Sequence, residues 1–261
     1  MRSKLWSGVQ WLGPPAGLFI LVLLSWHTAT TVWHVPAYLF PSPLKVLQAA
    51  SEQRQDLLRA LWITGSAAGL GFVSSLCAGF VISLAFSQSP LVRRSCYPYA
   101  IFLQTVPIVA IAPLIINWFG FGFRSVVIVS FMIGLFPVIT NTTTGMLAVD
   151  SRFLELFEIY NASRWQILWK LRVPNCVPFL VAGAKTSSGL SVIGAIVGEF
   201  FVGFGSTSHG LGYYITLASG QMKTDVLFAA VLTCTLLGLS VFVLVNLLSQ
   251  FVLRRWDVPG K

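Results

Sequence analysis

Residues 150–174 read DSRFLELFEIYNASRWQILWKLRVP and lie between two long apolar runs. Polar and charged residues alternate here with apolar ones at helical spacing, so the segment belongs at a water-facing surface. The apolar residues fall into two groups on either side of Asn161, namely Phe153, Leu154, Leu156, Phe157 and Tyr160, then Trp165, Ile167, Leu168 and Leu171. A hydrophobic chain that presents such a segment to water is expected to offer it to another protein.

Local residues predict how this segment folds. Asp150 and Ser151 can cap a helix that follows them. Asn161 stands where this helix would end, and asparagine is the non-glycine residue best suited to a left-handed position after a helix. Ser163 is suited to cap a second helix, which we expect Pro174 to end before the next apolar run. The prediction is two short helices joined by a turn at Asn161.

The composition places the rest of the chain in a membrane. Of 261 residues, 56% are hydrophobic and only 10% are charged, with a mean hydropathy of +0.79, whereas soluble domains have about 25% charged residues. We therefore expect one all-α integral membrane protein. The net charge of +9 is explained by cations flanking membrane spans, and no basic stripe with interleaved aromatic residues predicts nucleic-acid binding.

Enzyme and metal motifs are not found in the sequence. The four cysteines form no CxxC pair and the three histidines are scattered, so no disulfide framework or metal site is predicted. The nearest stretch to a phosphate-binding GxxxxGK(S/T) motif is VAGAKTSSG, where Ala184 occupies the required glycine position. We expect a chain that is not an enzyme and binds no cofactor.

About six stretches are apolar enough to span a membrane, each near the 20 residues that a span needs: 14–34, 58–86, 96–118, 125–147, 176–202 and 226–252. The first lacks a clean cleavage site, so we expect a retained span instead of a signal peptide. The predicted organisation is a tail with the first span (1–35), an external amphipathic segment (36–57) and a core of five spans (58–261).

The cations orient these spans. With a cytoplasmic N-terminus, eleven of the 17 lysines and arginines lie inside and five outside, with Lys185 within the fifth span. This bias follows the positive-inside rule and places 150–174 and both termini in the cytoplasm. The cations predicted inside are Arg2, Lys4, Arg93, Arg94, Arg152, Arg164, Lys170, Arg172, Arg254, Arg255 and Lys261.

Five residues within the spans are candidates for a pathway or gate. Gln104 and Pro107 lie in QTVPIVAIAP, where Pro107 and Pro113 would interrupt the third span, either beside a water-filled pathway or in a kinked packing helix. Gly194 and Gly198 form a GxxxG pair that suits a pathway, a subunit interface or ordinary close packing. Glu199 is either a gating residue or a hydrogen-bonded structural acid.

The spacing within 150–174 resembles the coupling-loop signature of ABC importer permeases of the binding-protein-dependent family, which reads E-A-A, three residues, G, nine residues, I, one residue, L-P. Glu155, Asn161, Leu171 and Val173-Pro174 stand at its glutamate, glycine, isoleucine and final positions. Leu156 and Phe157 replace the two alanines, so the groove that receives the helix is expected to differ in shape. PSPLKVL, QTVPIVAIAPLIINWFGFG and GLGYYI resemble the nitrate, sulfonate and taurine subfamily.

The resemblance implies a type I permease with a cytoplasmic coupling helix between spans four and five, paired as a homodimer in the bacterial inner membrane. Two copies of a separate ATPase subunit would bind ATP and Mg, and an extracytoplasmic binding protein would deliver the solute. The implied ATPase-coupling residues are Glu155, Glu158, Asn161, Ala162, Ser163, Arg164, Trp165 and Pro174.

The solute is expected to be a sulfonate, nitrate or similar small anion, with a pyrimidine-like vitamin precursor as the alternative. A stand-alone secondary transporter is the competing class. Such transporters commonly show inverted repeats and paired broken helices, and we see no such internal symmetry in this sequence.

Overall fold

The computed structural model describes residues 2–33, 35–202 and 209–254, so the predicted cytoplasmic residues Arg255 and Lys261 lie outside the described residues. Throughout this part of the chain the regular elements are helices. They are α1 (Arg2–Val32), α2 (Pro43–Glu52), α3 (Arg54–Gln88), α4 (Pro90–Thr105), α5 (Ile108–Phe119), α6 (Phe123–Leu147), α7 (Ser151–Ile159), α8 (Arg164–Ile167), a π-helical turn (Leu168–Arg172), α9 (Val173–Val202), α10 (Leu211–Gly220) and α11 (Thr224–Leu253).

Four helical stretches of the described chain are long and apolar enough to cross a membrane: Arg54–Gln88, Phe123–Leu147, Arg164–Val202 and Thr224–Leu253. Two shorter apolar helices, Gly17–Val32 and Ile108–Phe119, correspond to the predicted first and third spans. The all-α membrane class is thereby confirmed, while six spans stay a prediction.

The core is formed by α3, α6 and α9, which pack at close range because glycine and serine line their contacts. A Cβ added at Gly134 of α6 would lie 2.5 Å from the Ser191 hydroxyl oxygen and 2.7 Å from that of Ser187. Serine hydroxyls also donate across the helix pairs: Ser187 to the Gly134 carbonyl and Ser130 to the Ser191 carbonyl, both at 2.8 Å. Small residues thus allow backbone contact where larger ones would hold the helices apart.

The third predicted span is broken at Pro107. Val106, which precedes it, is extended (φ −72°, ψ 123°), as a residue before proline prefers, and α5 begins at Ile108. The interruption predicted at Pro113 is wrong, because α5 continues through this residue to Phe119. A proline removes a single backbone donor, and α5 retains its helical path around that loss.

The predicted external segment contains α2, whose Val46 and Ala49 are buried, and α2 packs against α11. Helix α3 begins at Arg54, a few residues before the predicted start of the second span. Nearby, Trp26 of α1, Phe40 and Phe228 of α11 form an aromatic cluster with ring centroids 5.6–5.7 Å apart. The first helix is therefore held to the last one.

Candidate functional site

The turn predicted at Asn161 is confirmed by the backbone. The Asp150 carboxylate accepts from the Arg152 amide at 2.9 Å and caps α7. Asn161 has φ 51°, and its amide donates to the Glu158 carbonyl while the Ala162 amide donates to Phe157, both at 2.9 Å. These two bonds form a Schellman motif, which satisfies carbonyls at the end of α7.

The second helix starts with the predicted cap. The Ser163 hydroxyl accepts from the Gln166 amide at 3.3 Å, and the Ser163 amide donates to the Gln166 side chain at 2.7 Å. This is a reciprocal capping box. Both helix ends at the turn are therefore capped by residues of the segment itself.

The prediction that Pro174 ends the second helix is wrong. Helix α8 passes through the π-helical turn Leu168–Arg172 directly into α9, and Pro174 is the second residue of α9. The wider turn relieves the clash that a proline ring makes with the carbonyl four residues earlier, here that of Lys170. The second short helix is therefore the end of the helix that carries the fifth apolar stretch.

The surface around the turn is unusually apolar for an exposed one. Ile159 and Tyr160 are 76% and 78% exposed, and Trp165 is 68% exposed. Phe153, Leu156 and Trp169 are also exposed. We call this surface the tip. It also includes five exposed polar residues, Glu155, Glu158, Asn161, Ser163 and Arg164. An exposed apolar patch of this kind is typical of a protein-binding surface.

The tip is tied to the bundle at its base. The Arg172 guanidinium donates to the carbonyl of Ser87 near the end of α3, and the Asn175 amide donates to the carbonyl of Gly145 in α6 at 2.8 Å. Leu168 is 1% exposed. We did not predict from the sequence that Arg172 and Asn175 anchor the tip. The available signal was that both are polar residues at the junction between the loop and the fifth apolar stretch.

A second polar centre lies at the other end of α9, around the buried Glu199, which is 4% exposed. The Thr64 hydroxyl of α3 donates to its two carboxylate oxygens, at 2.9 Å each, and the Gly212 amide donates at 2.8 Å. Thr64 in turn accepts from the Leu211 amide at 2.8 Å. Glu199 and Thr64 thus cap the start of α10, satisfying amides that have no partner within the helix.

We call Glu199, Thr64, Gly210 and Gly212 the clamp, and a side chain at either glycine would meet atoms of α9. A Cβ at Gly210 would lie 2.0 Å from a Glu199 carboxylate oxygen, and one at Gly212 would lie 2.6 Å from the Ile196 carbonyl. Thr64, Gly210 and Gly212 were not predicted as site residues: Thr64 lies 135 residues from Glu199, and the two glycines gave no signal of their contact with its carboxylate. Helix α10 also lies near the start of α3: burial raises the pKa of Tyr214, the nearby Asp56 and Tyr213 raise it further, and Arg59 lowers it.

The other four pathway candidates lie in two different parts of the helix bundle. Gly194 and Gly198 lie against α6, with added Cβ atoms 2.7 Å from Ser130 Cα and 3.1 Å from Val126 Cα. Gln104 and Pro107 line a cavity of about 710 Å³ between α3, α4, α5 and α6. Cys96, Tyr99 and Thr105 supply further polar atoms, and no residue lining the cavity in the described part of the chain is charged.

Residues 75–258 match the family model of the binding-protein-dependent transport system inner membrane component. The chain belongs to this family. It is a permease of the ABC importers, of the sulfonate and taurine type, and ATP hydrolysis falls to a separate ATPase subunit. As a family member it is a multi-pass protein of the inner membrane.

Two relatives span most of the chain. The riboflavin transport system permease protein RibX of Chloroflexus aurantiacus is 33% identical, covering 94% of this chain and 90% of that protein. The taurine transport system permease protein TauC of Escherichia coli is 24% identical, covering 91% and 85%. The inward-facing MetNI methionine ABC transporter has a similar fold, with a TM-score of 0.57 and 16% identity over 75% of this chain and 94% of that one.

Proposed function

We propose that this chain forms six spans, pairs with a second copy around one solute pathway, and couples that pathway to two ATPase subunits through the tip. The observation that carries the proposal is the tip itself, which is exposed and apolar at its end and anchored at its base. Both termini would then be cytoplasmic, and the binding protein would dock on the opposite face.

The tip residues suit a docking role. Ile159, Tyr160 and Trp165 offer large apolar side chains, and aromatic residues and arginine dominate the energy of protein interfaces. Glu155 and Glu158 on α7 and Arg164 on α8 are exposed beside them and supply charge for partner choice. Leu156, where the family signature has alanine, is itself 46% exposed, so the receiving groove must accommodate its bulk.

Two solute classes are candidates, a small anion and a pyrimidine-like compound, and the cavity lined by Gln104 and Pro107 favours the second. A small anion such as a sulfonate or nitrate would lose its hydration in this cavity, where the described residues supply no cationic side chain. That loss is costly. An uncharged heteroaromatic solute fits Tyr99, Phe86 and Gln104, which offer stacking and hydrogen bonds. The formylaminopyrimidine transport permease protein ThiX of Halalkalibacterium halodurans, 30% identical, supports this second class.

Reconstitution tests the proposal. The chain is purified with its ATPase subunit, placed in proteoliposomes with the binding protein, and assayed for uptake of labelled pyrimidine and of labelled sulfonate. We expect uptake that requires ATP and persists when ion gradients are collapsed. Uptake driven by an ion gradient without ATP would instead make the chain a secondary transporter, and ATP-driven sulfonate uptake alone would reverse the choice of solute.

A further inference from the structure

A second pocket, of about 420 Å³, lies between the first turns of α4 and the end of α6. We call it the arginine pocket. Its lining residues are Arg93, Arg94, Tyr97, Pro98, Thr143, Thr144 and Leu147. The lining identified in the described part of the chain includes two cations, a phenol and two hydroxyls, and no carboxylate.

A third cation stands beside this pocket. The Arg172 guanidinium, which donates to the Ser87 carbonyl at the base of the tip, lies close enough to Arg93 for their charges to repel. Arg93 and Arg94 thus line the pocket, and Arg172 lies near Arg93 outside the lining. Clustered like charges oppose one another by Coulomb repulsion, so an anion placed among them would relieve that cost.

The position of the pocket indicates which kind of anion it would bind. Leu147 is the last residue of α6, and Arg93 and Arg94 lie in the first turns of α4, so the pocket lies where apolar helices end, at the depth of lipid headgroups. Beside it the surface is apolar, with Leu91 75% and Phe102 63% exposed. A ligand held here has a charged group among arginines and an apolar part along α4.

We propose that the arginine pocket binds a phosphate-bearing anion, the headgroup of an anionic phospholipid, with its acyl chains along α4. Basic pockets between membrane helices are known to hold such headgroups. The assignment of this end to the cytoplasmic leaflet rests on the proposed function, whereas lipid binding itself does not. Because Arg172 also holds α3 at the base of the tip, a bound lipid would stabilise the tip's anchor.

Native mass spectrometry of the full chain in detergent measures this binding, with phosphatidylglycerol and phosphatidylcholine titrated separately. We expect tighter binding of phosphatidylglycerol, weakened by salt. The double variant R93Q/R94Q should lower that affinity on the order of 30-fold, since each arginine near a surface contributes about fivefold. The matched control R54Q/R124Q removes two exposed cations elsewhere and should leave the affinity unchanged.

Three outcomes would overturn the proposal: equal binding of the two lipids by the unaltered chain, equal losses in the two double variants, or inorganic phosphate displacing phosphatidylglycerol at comparable concentration. The last would assign the pocket to a soluble anion. Should R93Q/R94Q fail to fold, the comparison of the two lipids on the unaltered chain still tests whether the pocket prefers the anionic lipid. The variant R94K, which keeps the charge, should retain binding. Transport is not measured, so a failed transport assay leaves this result unaffected.

Discussion

Glu199 offers the sharpest test of how the polar centre at the end of α9 works. Its carboxylate accepts from Thr64 and from the Gly212 amide at 2.8–2.9 Å while being 4% exposed. Hydrogen bonds to charged groups contribute about 1.5–3 kcal/mol each. Removing the carboxylate in Glu199→Ala takes away both bonds and leaves the Gly212 amide without a partner, so we expect a loss of about 3–5 kcal/mol in the free energy of unfolding.

Glu199→Gln is the finer perturbation, because it keeps the shape of the side chain. Its carbonyl oxygen, placed where the carboxylate oxygen accepts from Gly212, also lies within reach of the Thr64 hydroxyl. Both bonds then persist but lose the strength that the charged acceptor gave them, and an amide group replaces the second oxygen beside Thr64. The charge that favours the start of α10 is also lost, an effect of about 0.3–1 kcal/mol. We expect a total loss of about 1–3 kcal/mol. Thr64→Val, which removes the shared hydroxyl, should cost a similar amount.

The assay is denaturant unfolding of the purified chain, followed by ATP-driven uptake in proteoliposomes. Glu52→Gln is the matched control, since Glu52 is exposed on α2 and accepts from the side chain of Gln48, one turn away, at 3.1 Å. Because Glu199 and Thr64 act on the same helix end, the double variant should lose less than the sum of the single losses. Additive losses, or a Glu199→Gln protein as stable as the Glu52→Gln control, would refute the clamp. Unchanged uptake and ATPase coupling in Glu199→Gln would leave Glu199 a structural residue only.

The remaining predictions concern the tip and the core. Arg164→Glu should uncouple ATP hydrolysis from uptake while chain pairing, measured by cross-linking, stays intact; unaltered coupling would contradict the docking role. At Asn161, whose φ is 51°, a change to Gly should leave thermal stability equal or higher, whereas Asn161→Val should lower it by about 1–2 kcal/mol because branched residues avoid left-handed backbone. Gly134→Ala should destabilise the core by about 1–3 kcal/mol through overpacking, and Gly189→Ala, where a Cβ meets nothing within 4 Å, is its control. Equal stability of these two alanine variants would argue against close α6–α9 packing.

Features that depend on interactions between residues close in the sequence could be predicted, and those that depend on distant residues could not. Asp150, Asn161 and Ser163 act on amides and carbonyls within a few residues, so their roles follow from residue type and spacing. The outcome at Pro174 did not follow, because a proline can be accommodated by a widened turn when flanking residues such as Leu168 are buried. The partners of Glu199 are more distant still: Thr64 lies 135 residues away, and a single sequence does not reveal which polar residue in another helix faces a buried acid.

Helix α9 connects the two polar centres. It has 30 residues, which at 1.5 Å each is about 45 Å, with Arg172 and Asn175 bonded to α3 and α6 near its start and Glu199 bonded to α3 and α10 near its end. Between them it lies against α6 at Gly194 and Gly198, where an added Cβ would lie 2.7 Å and 3.1 Å from α6 Cα atoms. We therefore expect a displacement of the tip either to move α9 as a body or to break bonds at one of its ends. Since close-packed interfaces change between discrete arrangements and do not deform gradually, we expect such a change to occur at the bonds to Ser87, Gly145 and Gly212.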